Sequence, residues 1–187
     1  MDLFLLKKFI SALIMPLSLV LISLVVTLYQ GLSSGKFISV YWWELLPGLT
    51  ISFDIEPLGM LFALIASFLW LVTTCYAIGY MRSHHEKNQT RFYACFAIAI
   101  GAVMGLAFSA NLFTLFIFYE VLTLSTYPLV THAGTEKAKK GGRTYLGILL
   151  TTSIVFFLLA IVITWFVAGT LDFTPGGIFT DDVDKVL

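Results

Sequence analysis

Five long apolar runs, each bounded by polar or turn residues, dominate the chain. Each run is about 20 residues long, which is the length that a helix needs to cross the roughly 30 Å hydrocarbon core of a bilayer. None of the runs has a continuous polar face, whereas a helix on the surface of a soluble protein has one. The pattern therefore predicts five transmembrane helices, at about Phe9–Tyr29, Leu58–Met81, Phe92–Ala110, Leu112–Val130 and Tyr145–Ala168.

The segments between the runs predict how the helices are connected. Only Asn111 and its small neighbours separate the third run from the fourth, so these two helices should be antiparallel neighbours. The loop from Gly31 to Glu56 has two β-branched stretches around Pro47-Gly48, which predicts a β-hairpin. Its aromatic residues favour a position at the membrane interface, and they include Tyr41, Trp42 and Trp43. We therefore expect an all-α membrane protein with a β-hairpin-like outer loop, forming a single membrane domain over residues 1–187.

The first run resembles a signal peptide only in the basic residues that precede it, Lys7 and Lys8. Its apolar stretch of about 21 residues is longer than the roughly 7–15 residues of a signal core. No small-x-small cleavage site follows the run. We therefore predict that it is a retained transmembrane helix.

The composition excludes the main soluble classes of protein. Hydrophobic residues make up 59% of the 187 residues and charged residues 12%, against about 45–50% and about 25% in average soluble domains. The formal net charge is zero, so no global field favours nucleic acid as a partner. The sequence has no phosphate-binding loop, dinucleotide fingerprint, nucleophile elbow or metal-binding spacing. We expect no cofactor, no metal and no catalytic residue, and we interpret Cys75 and Cys95 as small buried residues.

The distribution of charge predicts the orientation of the chain in the membrane. If the N-terminus is cytoplasmic, nine of the eleven Lys and Arg residues lie on the cytoplasmic side and only Lys36 and Lys185 lie outside. This asymmetry follows the positive-inside rule. The acidic residues on the outer side are Glu44, Asp54, Glu56, Asp172, Asp181, Asp182 and Asp184.

Glu120 is the one acidic residue of the eleven that lies inside an apolar run. A carboxylate near the middle of a bilayer costs at least ~2.5 kcal/mol, so such a group usually faces a bundle interior or a wet cavity. Burial favours the neutral form of a carboxyl group and a nearby cation favours the charged form. We therefore interpret Glu120 as a proton-binding site, with a purely structural, hydrogen-bonded acid as the alternative.

A stripe of hydroxyl groups extends from Glu120 along one side of the fourth run. Thr123, Tyr127 and Thr131 follow Glu120 at steps of three, four and four, which places them on one helix face. They predict a hydrated path from Glu120 toward the cytoplasm, or else they bond to their own helix backbone. His132 ends this helix and is a candidate proton relay, since imidazole titrates near neutral pH.

Small and hydroxyl residues on the other runs predict helix–helix contacts. Gly101 and Gly105 form a GxxxG pair in the third run. The fifth run carries three consecutive hydroxyl residues, Thr151, Thr152 and Ser153.

Several segments together resemble a known family of membrane proteins. The chain is similar to the antiporter-like membrane proteins shared by Mrp-type sodium/proton antiporters and respiratory complex I. Within that family it most resembles the D type of the Mrp antiporters, over about residues 50–175. The segments that carry the resemblance are Asp54–Leu58, Ile78–Met81, Arg91–Ala94, Ser109–Phe113 and Phe118–Tyr127.

The resemblance implies that Glu120 belongs to a glutamate–lysine pair that drives proton movement. The family carries that lysine on a later, broken helix, within a fold of two inverted repeats. No lysine lies inside an apolar run of this chain. The resemblance therefore implies the N-terminal part of a larger membrane protein, whose lysine comes from a second polypeptide or from a missing C-terminal half.

These observations predict a component of a multisubunit monovalent cation/proton antiporter that moves protons through Glu120. One alternative is a proton-translocating, non-catalytic membrane subunit of an NADH:quinone oxidoreductase or a related hydrogenase complex. The other is a structural or assembly protein of the membrane. The expected partners are the lipid bilayer and the other membrane subunits of an antiporter or respiratory complex. The expected location is a bacterial-type inner membrane, and we expect a transporter component rather than an enzyme.

Overall fold

A computed structural model describes residues 3–46, 48–84 and 86–179, with side chains from Ile14 onward. Pro47, Lys185 and the acidic residues from Asp181 to Asp184, which entered the predictions above, lie outside these ranges. In chain order the elements are α1 (Leu3–Ser33), β1 (Ser39–Leu46), β2 (Leu49–Asp54), α2 (Pro57–Ser83), α3 (Gln89–Ala107), α4 (Leu112–Val130), α5 (Glu136–Thr152), the π segment (Ser153–Leu158) and α6 (Leu159–Ala168).

Five helices in the described ranges are long and apolar enough to cross a membrane. The fifth is the continuous span Glu136–Ala168, which joins α5, the π segment and α6. Large apolar side chains remain exposed on the surfaces of these helices, as contact with lipid requires. The predicted all-α membrane fold with a small β-hairpin is confirmed.

Every membrane helix except α4 differs in its bounds from the predicted run, and two of the differences have a clear local cause. The predicted helix at Tyr145 begins nine residues earlier, because Thr135 caps α5 by accepting a hydrogen bond from the Ala138 amide at 3.1 Å. The charged residues that follow Thr135 are therefore helical and not part of a loop. The predicted helix ending at Ala110 stops at Ala107, because the next residues pair with a strand instead.

The two strands form an antiparallel hairpin that continues into neighbouring loops. The Asp54 amide donates to the Phe108 carbonyl at 2.8 Å, and the Ala110 amide donates to the Ser52 carbonyl at 3.0 Å. On the other side of the same connection, the Leu112 amide donates to the Leu171 carbonyl at 3.0 Å. We call this side of the molecule the hairpin end, and the opposite side, where α2 meets α3 and α5 begins, the basic end.

The apolar core forms two clusters of buried side chains between α1, α2 and α3. Met60, Met104 and Phe108 belong to the cluster near the hairpin end. Trp70 and Tyr93 belong to the cluster near the basic end. Cys75 falls between the inward-facing positions of α2 and is exposed, so its predicted burial is wrong, while Cys95 is half-buried.

The helices α3 and α4 pack closely because one position between them carries no side chain. A Cβ atom on Gly105 would overlap the Phe118 ring of α4. Gly101, the other member of the GxxxG pair, has open space where a Cβ atom would lie. Of the two glycines, only Gly105 is needed for the close approach of the helices. Its contact with Phe118 holds one face of α4 against α3.

Candidate proton site

Glu120 lies near the middle of α4, about 12 Å from its first residue at a rise of about 1.5 Å per residue. Its side chain is half-buried, and its Oε1 atom is buried without a hydrogen-bond partner among the described residues. An oxygen of this kind carries a full desolvation cost unless a proton, a water molecule or a cation compensates it. The position is therefore suited to binding one of these three.

Asn111 sets the position of α4 at the hairpin end. Its Oδ1 atom accepts from the Thr114 amide at 2.7 Å, which caps the helix. Its Nδ2 atom donates to the Thr50 carbonyl at 3.0 Å and to Ser52 Oγ at 2.8 Å. The Ser52 amide in turn donates to Thr114 Oγ1 at 3.0 Å. Since these bonds join the first turn of α4 to β2, they hold the helix, and with it Glu120, against the hairpin.

The contacts of α4 show which of its faces meets the fifth span. A Cβ atom on Gly142 of α5 would overlap Thr131 Cγ2 and would lie 3.3 Å from Tyr127 Cε2. Toward the hairpin end, the Phe157 ring lies 5.6 Å from the Phe116 ring and 6.1 Å from the Tyr119 ring. At about 100° per residue, Glu120 and Thr123 lie between these contacts on the same face. The predicted stripe is therefore one face of α4, and it faces the fifth span.

Two hydroxyl residues of the stripe are buried within this packing. Thr123 is 5% exposed and Thr131 is 8% exposed. The Thr131 hydroxyl donates to the Tyr127 carbonyl at 3.0 Å, so at this position the alternative of bonding to the helix backbone applies. Toward the basic end, the stripe is thus a packed contact with α5, and the predicted hydration along it stays a prediction.

His132 lies apart from the stripe, in the turn that follows the end of α4 at Val130. Its ring lies 5.5 Å from the Phe92 ring of α3, and its Nε2 atom lies 3.9 Å from Glu86 Oε2. Neither ring nitrogen has a hydrogen-bond partner in the described part of the chain. The structure therefore groups His132 with Glu86, and it does not join His132 to the other four predicted site residues.

Two features of the site were missed by reasoning from the sequence. Glu86 lies in a charged loop, where nothing in the sequence distinguishes it from a solvated side chain. An open surface groove of about 430 Å³ also lies beside the π segment, lined by Tyr119, Thr152, Ser153, Phe156 and Phe157. In the sequence, this groove was indicated only by the three consecutive hydroxyl residues of the fifth run, which we interpreted as helix contacts.

The described residues contain no group of three or more His, Cys, Asp or Glu side chains that could hold a metal ion.

Two family models match the chain. The one described as "NADH-Ubiquinone oxidoreductase (complex I), chain 5 N-terminus" matches residues 46–93. The one described as "NADH:quinone oxidoreductase/Mrp antiporter, TM" matches residues 109–178. These residues include α4, the connection that follows it and the whole fifth span. The chain belongs to the antiporter-like membrane subunit family. The predicted resemblance is therefore confirmed.

Curated relatives of this antiporter-like chain come from both branches of the family. Subunit N of the NADH-quinone oxidoreductase from Campylobacter jejuni is 29% identical over 115 residues, which are 62% of this chain and 25% of that protein. Subunit A1 of a Na⁺/H⁺ antiporter from Staphylococcus aureus is 26% identical over 122 residues, which are 63% of this chain and 15% of that protein. The antiporter-like chain thus spans a quarter or less of the length of these relatives.

Solved structures share the fold of the antiporter-like chain. A chain of the archaeal membrane-bound sulfane sulfur reductase, a respiratory membrane complex, superposes with a TM-score of 0.73 at 21% identity. That match covers 90% of this chain and 35% of the other. A chain of the Mrp complex from a Dietzia species superposes with a TM-score of 0.71 at 21% identity, covering 89% of this chain and 31% of the other.

Proposed function

We propose that the chain is the proton-carrying part of a membrane subunit in a multisubunit monovalent cation/proton antiporter. The observation that carries this proposal is the buried, unpartnered Oε1 atom of Glu120 near the middle of α4. The family match and the relative named as a Na⁺/H⁺ antiporter subunit support the same assignment. In this proposal Glu120 takes up a proton from one side of the membrane and releases it toward the other.

A positive group supplied by another part of the assembly completes the site in this proposal. A carboxylate in a membrane span is stabilised by an opposite charge or by a bound proton. Within the described ranges, the Oε1 atom of Glu120 has no hydrogen-bond partner. The predicted lysine, carried by a second polypeptide or by a further part of the same protein, would lower the cost of the charged state.

A second candidate function is proton translocation within a complex I-like redox assembly. The relative from Campylobacter jejuni, which is a subunit of an NADH-quinone oxidoreductase, favours it. The two candidates share the role of Glu120 and differ in their partners. Purification of the assembly from its native membrane separates them, because flavin and iron–sulfur clusters in the preparation indicate the redox complex.

We also propose that the basic end faces the cytoplasm of a bacterial-type cell, with the chain in the inner membrane. Arg82, Arg91 and the basic residues at the start of α5 lie at this end. The opposite end carries the hairpin with Glu44 and Asp54. This arrangement follows the positive-inside rule.

The substitution Glu120→Gln tests the proposed function in the intact assembly. The amide has nearly the same shape as the carboxyl group but cannot take up and release a proton, so we expect proton flux to fall at least about tenfold, as the loss of a general acid–base group does. Flux is measured in vesicles that contain the complete complex. Glu136→Gln is the matched control, since Glu136 is an exposed acid paired with Lys139 at 2.9 Å.

Native gel electrophoresis of both variants separates transport from assembly. Undiminished flux in the Glu120→Gln variant would rule out the proposed role of Glu120. Lost flux together with a dissociated complex would assign Glu120 to assembly, which is the third function that the sequence left open.

A further inference from the structure

A second groove, which we call the α1–α3 groove, opens between α1 and α3 at the level where the two core clusters meet. Its volume is about 210 Å³. Leu21 and Ile100, which pack against both clusters, are among its wall residues. The lining consists of four residues of α1 between Leu17 and Leu24, of Trp70 of α2, and of Ala97, Ile100 and Gly101 of α3.

The α1–α3 groove lies at mid-depth in the membrane-spanning part of the molecule. Trp70 is the midpoint of α2, about 20 Å from either end at a rise of about 1.5 Å per residue. Val20 and Leu24, which are exposed in the α1 wall, belong to the candidate membrane span Ile14–Ser33. The hydrocarbon core of a bilayer extends roughly 15 Å to either side of its midplane. The groove therefore opens to hydrocarbon and not to water or lipid headgroups.

The lining of the groove presents no polar side-chain group to an occupant. All of its side chains except that of Trp70 are aliphatic, or a hydrogen atom at Gly101. Trp70 is 4% exposed and its Nε1 atom is buried, so the indole N–H is not offered at the groove surface. The backbone groups of the lining are bonded within their helices. An occupant of the groove is therefore held by apolar contact alone.

Small residues of α3 leave the space that forms the groove. Ala97 and Gly101 are one turn apart on the same face of α3, and a Cβ atom on Gly101 would meet no atom within 4 Å. Such pairs commonly allow a second helix to pack closely. Here the facing wall carries leucine side chains of α1, and the space between the two helices stays open.

The size of the groove favours a hydrocarbon chain over a helix of a partner subunit. One helical turn, about 10 Å across and 5.4 Å long, occupies about 420 Å³. This is about twice the volume of the groove, which is about 210 Å³. An acyl chain is one methylene group wide and adapts its shape, so it can enter where a helix cannot.

We propose that the α1–α3 groove is a binding site for one acyl chain of a membrane phospholipid. The chain fills the space between the two core clusters and makes dispersion contacts with both walls. It covers the exposed leucine and valine side chains of α1 and the open position at Gly101. The site goes beyond the proposed function, because it does not involve Glu120 and stands whatever ion the assembly moves.

Labelling by a photoreactive lipid tests the occupant in the complete complex. The complex is placed in phosphatidylcholine vesicles that contain a phosphatidylcholine with a diazirine in the middle of one acyl chain. On illumination the diazirine loses dinitrogen, and the resulting carbene inserts into a neighbouring bond. Mass spectrometry of peptides then locates the adducts.

Trp70 is the reporter for the groove. Because it is 4% exposed, lipid of the surrounding bilayer reaches it only through the groove that it lines. We expect a lipid adduct on Trp70 in the native complex. An unlabelled Trp70 would overturn the proposal, and this is the result expected if a side chain of a neighbouring subunit fills the groove instead.

Filling the groove provides the matched comparison. We expect Gly101→Leu to lower the adduct yield on Trp70 at least about tenfold, the loss that corresponds to about two methylene groups kept out of the groove. Gly79→Leu is the control, since Gly79 also has open space where a Cβ atom would lie but is not part of the lining. An equal yield in these two variants would also overturn the proposal.

A second variant keeps the test decisive if Gly101→Leu does not assemble. Val20→Phe enlarges a wall residue that is 60% exposed, so it disturbs no buried contact. We expect it to lower the adduct yield on Trp70 as well. An unchanged yield in an assembled Val20→Phe complex would show that lipid reaches Trp70 by another path.

Discussion

Asn111 and Glu120 lie on the same helix, and their polar groups differ sharply in how they are satisfied. Asn111 is 2% exposed, and both its Oδ1 and Nδ2 atoms are hydrogen-bonded to the first turn of α4 or to β2. Glu120 keeps a buried oxygen without a partner in the described ranges. A satisfied buried group stabilises the fold, while an unsatisfied one is retained where its chemistry is needed. The first residue is therefore structural, and the second is the candidate for function.

At the residue scale, we predict that Asn111→Ala destabilises the protein by about 2–3 kcal/mol. The loss combines a helix cap, worth about 1 kcal/mol, with partners on β2 that are left buried and unpaired, worth about 1–3 kcal/mol. The free energy of unfolding is measured by denaturant titration in detergent micelles.

Thr135→Ala is the control for the Asn111 prediction. Thr135 caps α5 through one exposed hydrogen bond to the Ala138 amide. We expect this variant to lose less than about 1 kcal/mol, since an exposed cap retains water as a substitute. Equal losses in the two variants would contradict the structural role assigned to Asn111.

At the scale of helices, α4 is held between two neighbours by contacts with glycine. Gly105 of α3 lies against the Phe118 ring on one face, and Gly142 of α5 lies against Thr131 and Tyr127 on another. Small residues at such contacts allow helix backbones to approach closely in a membrane. These contacts determine the rotation of α4 and therefore the direction in which Glu120 points.

We predict that Gly105→Ala destabilises the pair of α3 and α4 by about 1–3 kcal/mol, because the new methyl group overlaps the Phe118 ring. Gly101→Ala on the same helix meets open space, and we expect it to be neutral or to stabilise by up to about 1 kcal/mol. Thermal unfolding of both variants in the same detergent checks the difference. A greater loss in Gly101→Ala would show that the two helices pack in another register.

The helices could be predicted from the sequence to the extent that bilayer thickness dictates their length. The run that became α4 has the bounds Leu112–Val130, and Asn111 was recognised as the turn before it. The start of α5 could not be predicted, because its first turns are charged and resemble a loop until the cap at Thr135 is seen. The charged residues are the reason that the sequence did not predict a helix there.

The candidate site was predictable only in part, for a geometric reason. Residue spacing correctly placed Glu120, Thr123, Tyr127 and Thr131 on one face, since helical periodicity alone decides this. Which neighbour covers that face depends on contacts between residues distant in the chain, such as Gly142 with Thr131. The π segment has no sequence signature, so the groove beside it is evident only from the structure.

At the scale of the whole molecule, the two ends of the helix bundle differ in charge and in secondary structure. The strands and their acidic residues lie at one end, and the basic residues of α5 lie at the other. The exposed aromatic residues of β1, Tyr41, Trp42 and Trp43, mark the hairpin end as the side suited to a lipid headgroup layer. The two ends of this chain therefore differ in character without any contribution from a partner subunit.

We predict that the two ends are accessible from opposite sides of the membrane. With Cys75 and Cys95 replaced, Ser34→Cys at the hairpin end should react with an impermeant maleimide in intact cells, because that end faces outward under the positive-inside rule. Lys139→Cys at the basic end should react only in inverted vesicles. Both native residues are exposed, so differences in burial do not account for the result. Labelling of both from one side would contradict the orientation.

Main-chain atoms make part of the joint at the hairpin end, beside the side-chain bonds of Asn111 and Thr114. Amide and carbonyl groups of residues 108–112 bond to β2 on one side and to residues 171 and 173 on the other. Since every amino acid except proline offers these groups, this part of the joint does not depend on side-chain identity. Such a joint helps to explain how chains with only 21% identity keep the same fold. These main-chain bonds fix the start of α4 relative to the hairpin, whereas Gly142 of α5 meets the other end of α4 through side-chain contacts with Thr131 and Tyr127.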